Sequence, residues 1–436
     1  MKNSQPNIIF IFSDQQSASA MSCSGNQYLS TPNIDYLASE GTMFSLSYCT
    51  SPVCSPSRAS LFTGTMPHQH GVEINSLPLP QNMPTIGSIL RNAGYETYYI
   101  GKWHVPRCFP QGTDEIPGFF NDPIQNNPLG EFTDKEIVDK VISYLKKPKS
   151  KPFFLTVSLQ NPHDICHWIM KDKTQFLEKY SPKELDSLPP LPANFAINEE
   201  PEFLKIIRQP KDYGQETKYT LKWKEIDWQK YLYAYYRLTE KLDSDIGKIL
   251  ESVENNRLSD DTIIIFSSDH GEGMAEHKLV VKLQLYDSIA RVPLIIRGPE
   301  IPKGKIEDSI PISGIDLLPT ICHFANIKIK DNYHGISLKT ILSENKNNTE
   351  RKYVVTELLP FNDMNHRMRG RMLRTKHYKY IRFSGIEGEM LFDMINDKGE
   401  IKNLSNNSGY QNIIDEHRRL LKEWTILTDD DNFKNF

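Results

Sequence analysis

The 436-residue chain is 38% hydrophobic and 24% charged, the balance of an ordinary folded globular protein and not of a disordered or fibrous one. Its 51 basic and 55 acidic residues leave a formal charge of −4, which offers no electrostatic footprint for nucleic acid. No apolar run approaches the roughly 20 residues that a membrane span requires, and the length suits one large core with a smaller second unit.

Residues Met1 to Gln5 are polar, and the apolar run that follows ends at Phe12, too short for the core of an export signal. As written, the chain therefore reads as cytoplasmic, and as periplasmic or secreted if a leader has been removed. Four apolar runs each break into a polar cluster. Asn7–Phe12 leads to Ser13, Asp14 and Gln15, and Thr97–Ile100 leads to Gly101, Lys102, Trp103 and His104. Phe153–Val157 leads to Asn161, Pro162 and His163, and Thr262–Phe266 leads to Ser267, Ser268, Asp269 and His270. Unbroken runs of this length suit strands buried on both faces, in a parallel sheet covered by helices. Leu242, Ile246, Ile249 and Val253 form the apolar stripe of a helix between them. Ligands of open α/β sheets gather at the carboxyl ends of the strands, so the four clusters are expected to converge.

Six prolines between Ser181 and Tyr213 mark a long excursion and a candidate pocket rim, as does the basic stretch His366, Arg367, Met368 and Arg369. An Asn-rich stretch near Asn345 to Thr349 suggests a boundary, which gives a catalytic domain over residues 1–345 and a small α+β domain over 346–436. In the latter, Tyr353–Glu357 and Tyr378–Phe383 read as strands and Ile413–Thr425 as a terminal helix. The six cysteines show no paired spacing, so neither a zinc site nor a disulfide framework is indicated.

Cys54 stands out among them. Pro56 suits a first helical turn, Ser55 can cap it, and Thr63 with Gly64 closes it. A cysteine at a helix start meets partial positive charge, with Arg58 one turn along to hold an oxyanion; a buried helix-start thiol fits the local sequence equally well. Asp14 and Asp269, with the amide oxygen of Gln15, suit a hard cation such as calcium or magnesium better than zinc, although either aspartate taken singly reads as a helix cap. His270 adds a nitrogen to that set. Lys102, His104, His163 and Lys282 each pass singly for structural or surface residues.

Taken together and in order, Cys54 to Arg58 with Thr63 and Gly64, Ser13 to Gln15, Gly101 to His104, Asn161 to His163, Ser268 to Glu272, Lys282, Tyr286, and Arg291 to Gly298 resemble the formylglycine (type I) sulfatases of the alkaline phosphatase superfamily. Lys379 to Ile381, Leu391 to Asp393, Asn403 and Leu404 resemble that family's small C-terminal domain. The resemblance implies a large, mixed and mostly parallel sheet sandwiched by helices, plus a C-terminal antiparallel sheet. It implies that a maturation enzyme oxidises Cys54 to formylglycine (3-oxoalanine), whose hydrate attacks sulfur and then expels sulfate. It implies one divalent metal, calcium with magnesium or manganese as alternatives, held by Asp14, Gln15, Asp269, His270 and the modified Cys54. Arg58 and Lys102 are then expected to stabilise nucleophile and charge, His104 to act as base, and His163 and Lys282 to bind sulfate and assist the leaving oxygen.

The substrate implied is a sulfated small molecule or glycan. Many members carry a second Asp where this chain has Gln15 and Asn where it has His270; Gln and His also resemble the phosphonate monoester and phosphodiester hydrolases of the same superfamily. A glycan-binding relative without catalysis is the reading from a different class.

Overall fold

The computed structural model describes residues 5–106, 116–121, 129–171, 174–182, 184, 188–196, 205, 216–330, 332–343, 351–360, 368–385 and 388–433. Its first strand, β1 (Asn7–Asp14), shows how the sequence produces the central layer. Ile8, Phe10 and Phe12 enter one apolar cluster while Ile9 and Ile11 enter another, the two-residue period of a strand buried on both faces.

In chain order the remaining strands are β2 (Gly41–Phe44), β3 (Ser47–Tyr48), β4 (Glu96–Gly101), β5 (Phe120–Asn121), β6 (Phe153–Pro162), β7 (Thr262–Ser268), β8 (Leu294–Arg297), β9 (Lys305–Glu307), β10 (Ile312–Ser313), β11 (Tyr353–Leu358), β12 (Gly370–Thr375), β13 (Tyr378–Phe383) and β14 (Glu389–Asp393). The large sheet has the order β5-β4-β6-β1-β7-β8-β2-β9. The pairs from β5 through β7 are parallel, β8 runs antiparallel to both neighbours, and β2 and β9 are parallel. Helices Gly130–Lys146 and Glu225–Asn255 cover one face through Ile137, Val141, Leu242, Ile246 and Ile249. Helices Cys54–Thr63, Ile86–Asn92 and Leu317–Phe324 cover the other through Leu61, Phe62, Leu90, Leu318 and Ile321. This is the mixed, mostly parallel, helix-covered sheet expected.

Strands β11 to β14 form a four-stranded antiparallel meander. One face, including Leu373, Tyr380 and Leu391, packs on Leu421 and Trp424 of the helix Gln411–Leu427. The other, through Met372, Ile381 and Phe392, packs on Leu283, Leu285 and Tyr286, directly beyond Lys282. The meander thus supports the segment that carries Lys282. Residues 344–350, where the domain boundary is expected, lie outside the described residues, as do His366, Arg367, Pro201 and Pro210.

Some expectations shift in detail. The stripe from Leu242 to Val253 belongs to a 31-residue helix that starts at Glu225. The strand expected to end at Val157 continues to Pro162, because Ser158 still pairs with Phe12 and Pro162 with Asp14. Helix Cys54–Thr63 begins at Cys54, with Val53 in the cap position. Ser55 therefore lies inside the helix, and its hydroxyl donates to the carbonyl of His104 instead of capping. At the other end Gly64 takes the left-handed conformation (φ 66°) that closes the helix.

Candidate active site

The adjacency of β4, β6, β1 and β7 brings their carboxyl ends, and all four polar clusters, to one edge. Asp14 ends β1, Lys102 follows β4, His163 follows β6, and Asp269 and His270 follow β7. Turning the chain off β4 demands a glycine. Gly101 sits at φ 122°, and a Cβ there would lie 2.0 Å from the Ser158 carbonyl oxygen.

Asp14, Cys54, Asp269 and His270 are fully buried, and one ligand-type atom from each lies within 4.8 Å of the others. Cys54 Sγ is 3.1 Å from His270 Nε2, 3.9 Å from Asp14 Oδ1 and 2.9 Å from Lys282 Nζ. His270 Nδ1 lies 2.8 Å from the carbonyl oxygen of Gly271, so Nδ1–H donates there and Nε2 is the ring nitrogen that faces the cluster. Asp269 Oδ1 accepts from the backbone N–H groups of Gln15 (3.0 Å) and His270 (2.8 Å). Two carboxylates, an imidazole and the Cys54 sulfur converging on one buried point form a donor set suited to a divalent cation.

Arg58 binds both carboxylates. Its Nε donates to Asp269 Oδ2 at 2.8 Å and Nη2 to Asp14 Oδ2 at 2.9 Å; Nη1 donates to the Lys102 carbonyl (2.6 Å) and to Ser158 Oγ (2.9 Å). Lys102 Nζ lies 2.6 Å from the same Asp14 Oδ2. The guanidinium is fully buried and sits over the Phe12 ring. Both cations therefore act first on the carboxylates and take Oδ2 of each, leaving Asp14 Oδ1 on the side of Cys54. Ser158, which the sequence reading did not single out, completes this clamp.

The charges set the titration of the cluster. Burial pushes Asp14 up, but Lys102, His163, Arg58 and Lys282 together hold it well below the usual carboxylate range. Burial and the neighbouring Asp14 raise Asp269. Burial and Asp14 push the Cys54 thiol up, and Lys282, His270 and a hydrogen bond with the His104 side chain more than offset them, so it falls well below its ordinary value. Burial lowers Lys282 and the charges of Cys54, Cys166 and Asp14 raise it, with a net upward shift. Burial and Lys102 keep His163 well below its ordinary value, and its buried Nδ1 has no hydrogen-bond partner among the described residues.

The expected site residues thus lie together: Asp14, Gln15, Cys54, Arg58, Lys102, His104, His163, Asp269, His270 and Lys282 interact directly with one another or through a shared neighbour, and His104 is exposed. Arg369 of the basic stretch is buried and paired with Glu73. Five cysteines (Cys23, Cys49, Cys54, Cys166 and Cys322) are free thiols, and Cys108 lies outside the described residues. Sequence reading passed over Glu272 and Cys166, both buried against Gln15. The only signal for Glu272 was its place at the end of the run from Ser268.

A family model for sulfatases matches residues 6–327, and one for the C-terminal region of N-sulphoglucosamine sulphohydrolase matches residues 275–426. A Delta 4,5-hexuronate-2-O-sulfatase of Bacteroides thetaiotaomicron is 32% identical, over 98% of this chain and 90% of its own. The solved structure of a 2-O GAG sulfatase superposes with a TM-score of 0.87 at 30% identity, covering 98% of this chain and 93% of that one. A phosphonate monoester hydrolase of Agrobacterium radiobacter shares the fold, with a TM-score of 0.80 at 21% identity, over 97% and 96% of the two chains. Among the described residues no helix is long and apolar enough to cross a membrane. The chain belongs to the sulfatase family, as a type I sulfatase of the alkaline phosphatase superfamily and a hydrolase of sulfuric esters.

Proposed function

We propose that this protein removes sulfate from a sulfated sugar by way of a formylglycine made from Cys54, beside one divalent cation. The observation that carries the reading is the position of Cys54 Sγ. It lies at the first residue of a helix, 2.9 Å from Lys282 Nζ and 3.1 Å from His270 Nε2, at the edge of two buried carboxylates. The sulfur stands where an oxygen of the formylglycine hydrate would lie. That hydrate supplies one hydroxyl to attack sulfur and a second whose deprotonation releases sulfate, which neither cysteine nor serine can provide.

Asp14, Gln15, Asp269, His270 and the modified Cys54 would hold the cation, which when bound polarises nucleophile and sulfate; calcium suits the oxygen donors best, with magnesium or manganese as alternatives. Arg58 and Lys102 hold the carboxylates in place and add positive charge where negative charge develops. Lys282 and His163 bind the sulfate and attend the leaving oxygen, and His104, in contact with Cys54, takes the proton of the second hydroxyl.

A sulfated sugar is supported by the named activities of the relatives above, and a 2-O-sulfated unsaturated uronate is the first substrate to offer. Phosphonate monoester or phosphodiester hydrolysis with the same nucleophile is the second reading, favoured by Gln15 and His270. Protein made with a maturation enzyme should carry formylglycine at residue 54 by peptide mass spectrometry and release sulfate from the uronate substrate. Cys54→Ser should fold and release none. Diester hydrolysis without sulfate release would overturn the assignment, and full activity with an unmodified thiol would overturn the nucleophile.

A further inference from the structure

Gln15 presents its side chain between two demands. Its Nε2 lies 2.6 Å from Glu272 Oε2 and 3.3 Å from Cys166 Sγ, while its Oε1 lies 3.3 Å from Lys282 Nζ and 3.7 Å from Cys166 Sγ. An amide can be turned end for end at almost no steric cost, so something must decide which end faces the cleft. The backbone is already fixed: Gln15 has φ 73°, its N–H donates to Asp269, and its carbonyl accepts from Tyr235 at 2.8 Å.

Glu272 supplies the decision. It is fully buried, and its Oε1 accepts from the hydroxyl of Tyr231 and from the backbone N–H groups of Gly273 (3.0 Å) and Val281. The two backbone groups can only donate. Tyr231 is committed as well, because its oxygen accepts from the Met274 N–H at 3.1 Å and its single hydrogen therefore goes to Glu272. Among the described residues Oε2 of the Glu272 carboxylate is left with one partner, Gln15, and meets it as an acceptor. The NH2 of Gln15 must turn toward Glu272 and the carbonyl oxygen toward Lys282, whose Nζ also lies 2.9 Å from Cys54 Sγ.

We infer that Glu272 is a positioning residue that sets the polarity of the Gln15 amide, so that its oxygen and not its NH2 faces the cation. The role rests on the proposed metal site, and it adds a residue to which no part in that site has been given. Reversing the polarity should expel the cation without any change in shape. In Glu272→Gln the new amide keeps its oxygen among the three donors at Oε1 and directs its NH2 at Gln15. Gln15 then answers with its oxygen, and its own NH2 turns toward the cation.

The test is calorimetric titration with Ca2+ of metal-stripped wild type, E272Q, Q15E and the E272Q/Q15E pair, with thermal unfolding of the metal-free proteins alongside. E272Q should bind Ca2+ about 10–100-fold more weakly. Q15E should also lose affinity, because its carboxylate would face that of Glu272, and the pair should recover most of the loss by restoring donor against acceptor. Tyr231→Phe removes one donor from Oε1 and leaves the polarity intact, so it should lower the unfolding temperature and spare Ca2+ affinity. Unchanged binding in E272Q, a pair no tighter than its singles, or an equal loss in Tyr231→Phe would each overturn the role. If E272Q alone does not fold, the pair carries the test, and a folded pair unable to bind Ca2+ overturns it. Wild type that takes up no more Ca2+ than Asp269→Ala would overturn the metal site itself, and this role with it.

Discussion

Lys379 on β13 is fully buried, with Nζ 2.9 Å from Asp287 Oδ1 and 2.7 Å from Glu400 Oε1. Asp287 also receives its backbone support from Glu400, whose Oε2 accepts the Asp287 N–H at 2.7 Å. Replacing Lys379 by Met keeps the volume and leaves two buried acids without their cation. Removing one partner of a buried ion pair costs about 3–5 kcal/mol, which is roughly two to four powers of ten in the folding constant. The cost should depend on pH with a defined sign. Burial raises Glu400 from 4.5 to about 7, despite the lowering by Lys379, whereas Lys379 and Arg291 hold Asp287 below its ordinary value although burial opposes them. A carboxyl whose folded value is raised favours the fold while protonated. In the wild type that contribution is complete below the ordinary 4.5 and is lost as pH rises through about 7. Without Lys379 the folded value of Glu400 rises further, so the penalty of the variant grows from pH 5.5 to pH 8.5. Urea unfolding at several pH values, followed as the midpoint at constant slope, reads this directly. A difference below about 1 kcal/mol, or one that is flat across this range, would refute the account.

Asp269→Ala removes a carboxylate that two backbone N–H groups and Arg58 hold in place, so elemental analysis of the purified variant should find its divalent metal gone; wild-type metal content would break the ligand assignment. Gly101→Ala forces a side chain into φ 122° and to within 2.0 Å of the Ser158 carbonyl, and denaturant unfolding should show a loss of more than ~1 kcal/mol, where a glycine replacement in compatible backbone would stabilise.

Much of the site was readable before the fold because it hangs on strand ends. A buried parallel strand announces itself as a run of apolar residues, and the polar residues that stop the run must go somewhere useful. Asp14, Lys102, His163 and Asp269 follow that grammar, and four adjacent strands bring them together. Lys282 and Glu272 do not follow it. Lys282 lies in an irregular segment where Val281 and Leu283 both take positive φ, and it is steered by packing against β13 and β14 from more than ninety residues away. Glu272 is defined by its partners Tyr231, Val281 and Gln15, of which only the first belongs to a regular element. Hydrogen-bond polarity of this kind has no periodicity, so no pattern along the chain reports it. Ser55 was misjudged for a related reason: a serine near a helix start has two outlets, and the carbonyl of His104 takes the hydroxyl.

On the proposed chemistry, the charge of the cleft alone does not select sulfate. Arg58 and Lys102 are engaged by Asp14 and Asp269, which leaves Lys282 as the cation whose ammonium reaches the nucleophile directly. A sulfate ester, a phosphodiester and a phosphonate monoester each bring one negative charge to such a site and are attracted alike. They differ in the number of bare oxygens, three on the sulfate ester and two on the others, where a second organic group takes the remaining direction. Selectivity then falls to the donors that meet the third oxygen, because a buried donor left facing a carbon group loses its hydrogen bond and stays desolvated. Lys282 has a third hydrogen beyond those aimed at Cys54 and Gln15, and His163 has a ring nitrogen with no partner among the described residues. In the proposed site Gln15 and His270, the two positions that depart from many sulfatases, would face the cation instead. They would shape how the metal is held, and discrimination between sulfate and phosphodiester would then rest on Lys282 and His163.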